Sequence, residues 1–351
     1  MSSLDEGVRV LAEALSGWHR GASPGLLSRA AVLFDDASRE PDPRAPVGAA
    51  LARGLAGDLE SARRRLHEAL GAHPENAGAY LALGVLCLRE RDPLAHAQEA
   101  SWALVAARDL CPGVGCIERS LAQALCASGE FMAALQSARV ALSLDRDDHE
   151  ARLWSGLLRL YFGGDVSAST VLQELPPEAE GAGRSPAVWL GAVAGAYARG
   201  EFLTARAALR RVLAPLRPSD PVESALADGV RRWHRELRGF GPDVPMAPNR
   251  WLRDVGGPVS EYARTRAALM TFRETLAHRP VLEDPNGAGP TALAVEGLLG
   301  ELEARTRRGM LAWGSRLLVR GFAEAYLPVV ALLEAPSPEL LAAMGLVVFD
   351  G

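Results

Sequence analysis

The sequence predicts an all-α chain in which helical hairpins stack as an α-solenoid, or superhelix, over roughly the first 220 residues and a C-terminal helical domain follows. Three observations carry this. A frame of glycine and small residues recurs along the chain, serine or aspartate precedes proline at five places where a helix would begin, and no comparable set of period-two, β-branched segments is present.

Taken in order, residues 1–42 hold a degenerate helical pair, 4–41, that ends at Pro41. From residue 43 the frame is plain. In 54–74, Gly57 is followed by Ala62, Leu66, Ala69 and Pro74; in 124–146, Gly129 is followed by Ala134, Ala138 and Ala141. The frame returns at Gly200, Ala205, Leu209 and Val212, and more weakly at Gly163, Ala168, Leu172 and Leu175. Another copy has Leu83-Gly84 leading into Ala100, Leu104, Ala107 and Pro112, with extra residues around "RDPLAHAQ". The mechanical reason is that a glycine permits the tight turn between two antiparallel helices, small alanines let their backbones approach, and proline ends the unit. Five units result: 43–76, 77–114, 115–148, 149–185 and 186–219. The helix-start pairs Ser23-Pro24, Asp92-Pro93, Ser185-Pro186, Asp220-Pro221 and Ser337-Pro338 fit the same division.

Tyr80, Leu83 and Gly84 in one unit, Trp189 in another, and the small residues Ala62, Ala100, Ala134, Ala168 and Ala205 resemble the tetratricopeptide repeat (TPR) pattern over about residues 43–219. Most units lack the Leu-Gly pair, and the second and fourth exceed the usual repeat length. The resemblance implies a concave surface lined by the first helix of each unit. Carried over position by position, the lining residues are Arg44, Val47 and Leu51; Leu81, Val85, Leu88 and Arg89; Arg119, Gln123 and Cys126; Glu150, Leu153, Leu157, Leu160 and Tyr161; and Leu190 and Tyr197. This lining is aliphatic with a few arginines and no lysine, which suits an apolar or amphipathic helix of a protein partner better than a carboxylate-terminated tail. On this reading Leu157→Arg or Val85→Glu abolishes partner recovery and leaves the helical circular-dichroism signal intact.

After Pro218 the period is lost, and 220–351 reads as helices at 221–238, 258–278, 291–308, 310–333 and 338–346 joined by Pro/Gly-rich connectors. The segment 310–333 is apolar nearly all round except for a stripe of Arg316, Arg320 and Glu324. It reads as a central bundle helix or as one that docks on a partner or in the chain's own groove.

The 351 residues carry a formal charge of −5 with mixed signs, which argues against a nucleic-acid partner. The 38 basic residues are all arginine, consistent with a GC-rich, bacterial coding sequence. The start "MSSLDEGVRVLAEAL" lacks the basic, apolar pattern of a signal peptide, and Arg320 and Glu324 interrupt the most lipid-like stretch, so a cytoplasmic protein without membrane insertion is expected.

Chemistry-bearing motifs are few. Gly21-Ala22-Ser23-Pro24-Gly25 fits a nucleophile-elbow pattern but lies in a helical context, where Ser23 reads as a cap. The histidines 19, 67, 73, 96, 149, 234 and 278 include no zinc helix, and "PNGAGPT" (285–291) lacks the ending of a phosphate loop. The acidic pairs Asp35-Asp36 and Asp147-Asp148 read as solvated helix ends. "CPGVGC" (111–116) reads as the joint between the second and third units; a zinc site there requires Cys87 or Cys126 to converge on Cys111 and Cys116. No catalytic residue, cofactor or metal is assigned. The expected function is a non-enzymatic adaptor or assembly protein. The alternative is a regulatory or sensor subunit whose groove its own C-terminal helices occupy until a signal displaces them. Self-association is left open.

Overall fold

A computed structural model describes residues 2–18, 23–90, 92–163, 189–190, 193, 202–216, 219, 223–225, 227–231, 322–323 and 326–347, with the side chains of 160–163 and 202–206 excepted. Among these residues the chain is helical and contains no strand. Nine helices follow one another: α1 (Ser3–Ser16), α2 (Pro24–Ala37), α3 (Arg44–Leu55), α4 (Leu59–Ala72), α5 (Ala77–Leu88), α6 (Ala97–Leu110), α7 (Gly115–Ser128), α8 (Phe131–Leu144) and α9 (His149–Gly163). Further on come α10 (Phe202–Leu213), a helical run at 326–333, and the short α11 (Pro338–Ala343).

The helices start where the sequence supplies caps. Ser2 and Asp5 form a capping box on α1, Asp58 accepts from Ser61 N at 3.2 Å, and Asn76 accepts from Ala79 N at 3.0 Å. Within a pair the chain reverses through Gly57 (φ +99°) and Gly129 (φ +86°), left-handed conformations that an L side chain resists. Gly84 has a different role: a Cβ there would meet Leu104 Cγ of α6 at 2.5 Å, so its missing side chain lets α5 and α6 close.

Each helix packs on the next in sequence, and the odd-numbered helices also pack on one another, α1 on α3 through to α7 on α9. No even-numbered pair packs comparably, so the odd helices form the inner layer and the even ones the outer. The fold is therefore an all-α, TPR-like solenoid. Its core is built from small and branched residues such as Ala49, Leu51, Ala62, Leu66, Ala82, Leu86, Ala100 and Leu104, all fully enclosed. The outer layer is stitched by charge instead. Asp35 of α2 pairs with Arg53 of α3 and Arg65 of α4, and Glu99 of α6 pairs with Arg63 and His67 of α4.

Several expectations need correction. Asp92-Pro93 does not open a helix: Asp92 accepts from Ala95 N within a turn, and α6 begins at Ala97. Ser23 and Ser337 do precede first-turn prolines, although only Ser337 makes the side-chain bond, accepting from Leu340 N. Asp35 and Asp148 are not solvated helix ends: Asp35 holds two arginines, and Asp148 is buried, caps α9 by accepting from Ala151 N, and accepts from Arg119. Ser185-Pro186, Asp220-Pro221, the stripe residues Arg316, Arg320 and Glu324, and the helices expected at 258–278 and 291–308 lie outside the described residues. In "CPGVGC", Cys111 caps α6 and is exposed, Gly113 takes a φ of +81°, and Cys116 is buried in the first turn of α7. Among the described residues no cluster of metal-binding side chains occurs, and no helix is long and apolar enough to cross a membrane.

Candidate protein-binding groove

The inner layer is not bare. Residues 322–323 and 326–346 lie along it and touch odd-numbered helices from α9 back to α3. At the α9 end, Trp154 meets the rings of Phe322 and Tyr326 edge-on, at centroid distances of 5.1 and 5.2 Å, and the Tyr326 hydroxyl donates to Glu150. Further along, Arg89, the residue that caps α5, donates to the main-chain carbonyls of Ala331 (2.5 Å) and Glu334 (2.7 Å). Trp18, just past α1, donates from its indole to the carbonyl of Leu332 at 3.2 Å and lies 5.5 Å from the Arg89 guanidinium. The segment then turns, and α11 packs on α7, where Cys116 Sγ lies 3.9 Å from the carbonyl of Glu339. Finally a Cβ added at Gly78 would meet Met344 O at 2.8 Å, and one added at Gly345 would meet Arg44 Cδ at 3.2 Å, so the segment ends across the first turns of α5 and α3.

The electrostatics follow from that burial. Arg89 is pulled down to about 10 by desolvation, which leaves it charged at neutral pH. It sits where a helix C-terminus presents unpaired carbonyls and partial negative charge, the natural complement of a guanidinium. Burial pushes the Glu150 carboxyl up, against the pull of Arg119 and of the Tyr326 hydrogen bond, and pushes the Tyr326 phenol well up. Arg119 pairs with Asp148 at 2.8 Å and Glu150 at 3.1 Å, and reaches Glu339 at 4.0 Å. Burial raises the Cys87 thiol to about 12 and pushes Cys116 and Cys126 up as well, so these three are inert thiols while enclosed. A cavity of about 400 Å³ remains between groove and segment, lined by both.

Most residues assigned to the groove by resemblance thus have an intramolecular setting. Val85, Leu88, Arg89, Arg119, Gln123, Glu150 and Leu153 line the cavity together with the C-terminal segment. Val47, Leu51, Leu81, Leu157 and Leu190 are fully enclosed, and Cys126 nearly so. Arg44 is exposed and pairs with Asp42 at 2.7 Å. The side chains of Leu160 and Tyr161, and all of Tyr197, lie outside the described residues. Arg119, expected to meet a partner, takes its acids from within the chain. Because Leu157 is enclosed on all sides, Leu157→Arg is a core substitution, and the expectation that helicity survives it is withdrawn.

Sequence reasoning missed Trp18, Trp154, Phe322 and Tyr326. The spacing of Phe322 and Tyr326, one helical turn apart in an apolar stretch, was the available signal. Nothing local says what such a pair packs against.

No family model and no curated protein matches the chain. Among solved structures, one described as a functional characterisation of Pseudomonas aeruginosa PilF is similar, at 18% identity over 64% of this chain and 98% of that one, with a TM-score of 0.45. At that superposition the fold rests on the helix pairs themselves.

Proposed function

We propose that the chain is a non-enzymatic protein-interaction module of the adaptor or regulatory kind, whose groove is gated by its own C-terminal segment. In this reading units 43–76, 77–114, 115–148, 149–185 and 186–219 form the solenoid after the pair in 1–42, and 220–351 carries the gate. The observation that supports it is the course of residues 322–346 along the inner layer, where main-chain carbonyls meet Arg89 and Trp18 and an aromatic pair meets Trp154. A groove filled by a helix of the same chain has the shape and donors to take a helix from another. A competitor then binds with its intrinsic affinity reduced by the fraction of molecules that are open.

The experiment uses the full chain and a synthetic peptide of residues 318–347. Two variants open the gate from opposite ends of the segment. Phe322→Ala with Tyr326→Ala removes the knobs and leaves the groove intact. Gly345→Ala also leaves the groove intact and forces a side chain into a φ of +78°, against Arg44 Cδ. Both variants are expected to bind the peptide about tenfold or more tightly than the natural chain. Equal affinity for all three would show that the groove is not gated, and binding by none would show that it does not receive this segment.

A further inference from the structure

Trp154 is fully buried, and its indole Nε1 has no hydrogen-bond partner. It sits at the centre of the gate, against Phe322 and Tyr326, whose own rings are 4.9 Å apart. Phenylalanine offers an indole N–H no lone pair, and the Tyr326 hydroxyl, which donates to Glu150, does not accept from it. The chain's own segment therefore closes over a donor that it leaves unsatisfied, and such a group destabilises the closed state by its lost hydration.

The other anchors differ in kind. Arg89 and Trp18 bind main-chain carbonyls of Ala331, Glu334 and Leu332, which any helix C-terminus supplies whatever its sequence. Sequence is read instead at the segment's buried side chains, at the aromatic cluster and at Leu327, Val329, Met344 and Leu346.

We infer that the segment that displaces 322–346 is a helix of a separate protein bearing two aromatic side chains one turn apart and, beside them, a neutral hydrogen-bond acceptor for Trp154 Nε1. This rests on the gated-groove reading. The aromatic pair is required because Trp154 packs against two rings at near-perpendicular angles. The acceptor is a side-chain amide or hydroxyl oxygen, because Glu150 and Asp148, which stay in the opened groove, disfavour another carboxylate. A partner so built outcompetes the resident segment by satisfying the one donor that the resident leaves bare.

The test is a displayed library of helical peptides with Phe and Tyr fixed four residues apart and the neighbouring positions randomised. It is selected on the full chain carrying Phe322→Ala and Tyr326→Ala, and in parallel on that chain with Trp154→Phe added. Gly345→Ala replaces the alanine pair if that protein fails to fold. Selection on Trp154 is expected to enrich Asn, Gln, Ser or Thr at one register position, and selected peptides should bind the Trp154→Phe background roughly 5–100-fold more weakly. The 318–347 peptide, which leaves Nε1 unpaired, should show no such loss on the Trp154→Phe background. The same residue preference on both backgrounds, or unchanged binding when the fixed aromatics become alanine, overturns the inference. If the 318–347 peptide binds the opened chain and the acceptor preference is absent, only this inference falls; if that peptide binds neither opened variant, the gated groove falls with it. A dimer in light scattering, held by exchange of 322–346 between copies, would make the occupant a second copy of this chain and overturn the separate partner.

Discussion

The paired helices α1–α8 and the segment 322–346 both bury apolar surface, yet they are held by opposite means. The pairs interlock through many small contacts, alanine against leucine and glycine against a leucine of the next helix, with Ser101, Glu118, Ser120 and Ser137 the buried polar residues among those described. The segment is held by a few discrete anchors: an arginine on carbonyls, a tyrosine on a glutamate, and two rings set near-perpendicular to Trp154. Most of 330–335 stays half-exposed. Close packing spread over a layer is lost all at once, whereas a few anchors can release while the layer beneath keeps its structure. The difference separates a scaffold from a gate.

The largest effect should come from breaking the scaffold itself. Leu157→Arg places an unpaired charge in an enclosed site of α9, at a cost of about 3–5 kcal/mol or more. Helical circular dichroism and the melting midpoint should both collapse. A normal melting curve would mean that α9 is not part of the cooperative unit.

Next come the anchors. Phe322→Ala and Tyr326→Ala each remove a buried ring, worth about 3–5 kcal/mol, but the loss should appear as local opening with the melting of α1–α8 little changed. The chain carries its own reporters. Cys111 is exposed and labels in every variant, Cys87 and Cys126 lie inside the pairs, and Cys116 is covered where α11 meets α7. Mass-resolved maleimide labelling should therefore gain Cys116 on opening while Cys87 and Cys126 stay protected. If all three gain together, the gate and the scaffold are one cooperative unit and the distinction between them is wrong.

The two regions also differ in how far the sequence discloses them. The hairpins were legible because their small residues meet partners only one or two helices away, and the repeat prints the same solution several times. Gly57, Gly129, Ala62, Ala100 and Ala134 fell where the period put them. The gate is a single long-range packing event, written once. Phe322 and Tyr326 advertise a buried helix face, but their receptor, Trp154, lies 168 residues from Phe322 and belongs to no motif. Asp148 misled for a related reason: two adjacent aspartates look solvated until the fold brings Arg119 to one of them.

A smaller effect isolates the clamp. Arg89→Met keeps an unbranched apolar side chain at this half-buried site and removes two charge-assisted bonds to Ala331 and Glu334, about 1.5–3 kcal/mol in total. Amide exchange should quicken over 331–334 more than at 326–329, where the rings still hold. Uniform quickening along the segment would mean that the anchors act as one.

The smallest effect is the response to pH, and it bears on the gate alone. Burial lifts Glu150 above its ordinary value of 4.5, with Glu334 and Asp148 adding to the lift and Arg119 and the Tyr326 hydroxyl opposing it. The closed groove thus binds this proton more tightly than the open one. Its contribution to closure is fully present below 4.5 and is lost as pH rises through the raised value; Tyr326, pushed well above 10, stays protonated throughout. Affinity of Gly345→Ala for the 318–347 peptide should accordingly fall with rising pH from 4.5 and then level off. Glu150→Gln carries no titrating proton and should flatten the curve while binding at neutral pH at least as well as the parent. If the slope survives in Glu150→Gln, the proton coupled to closure does not reside on Glu150, and the gate is not tuned from the ring cluster.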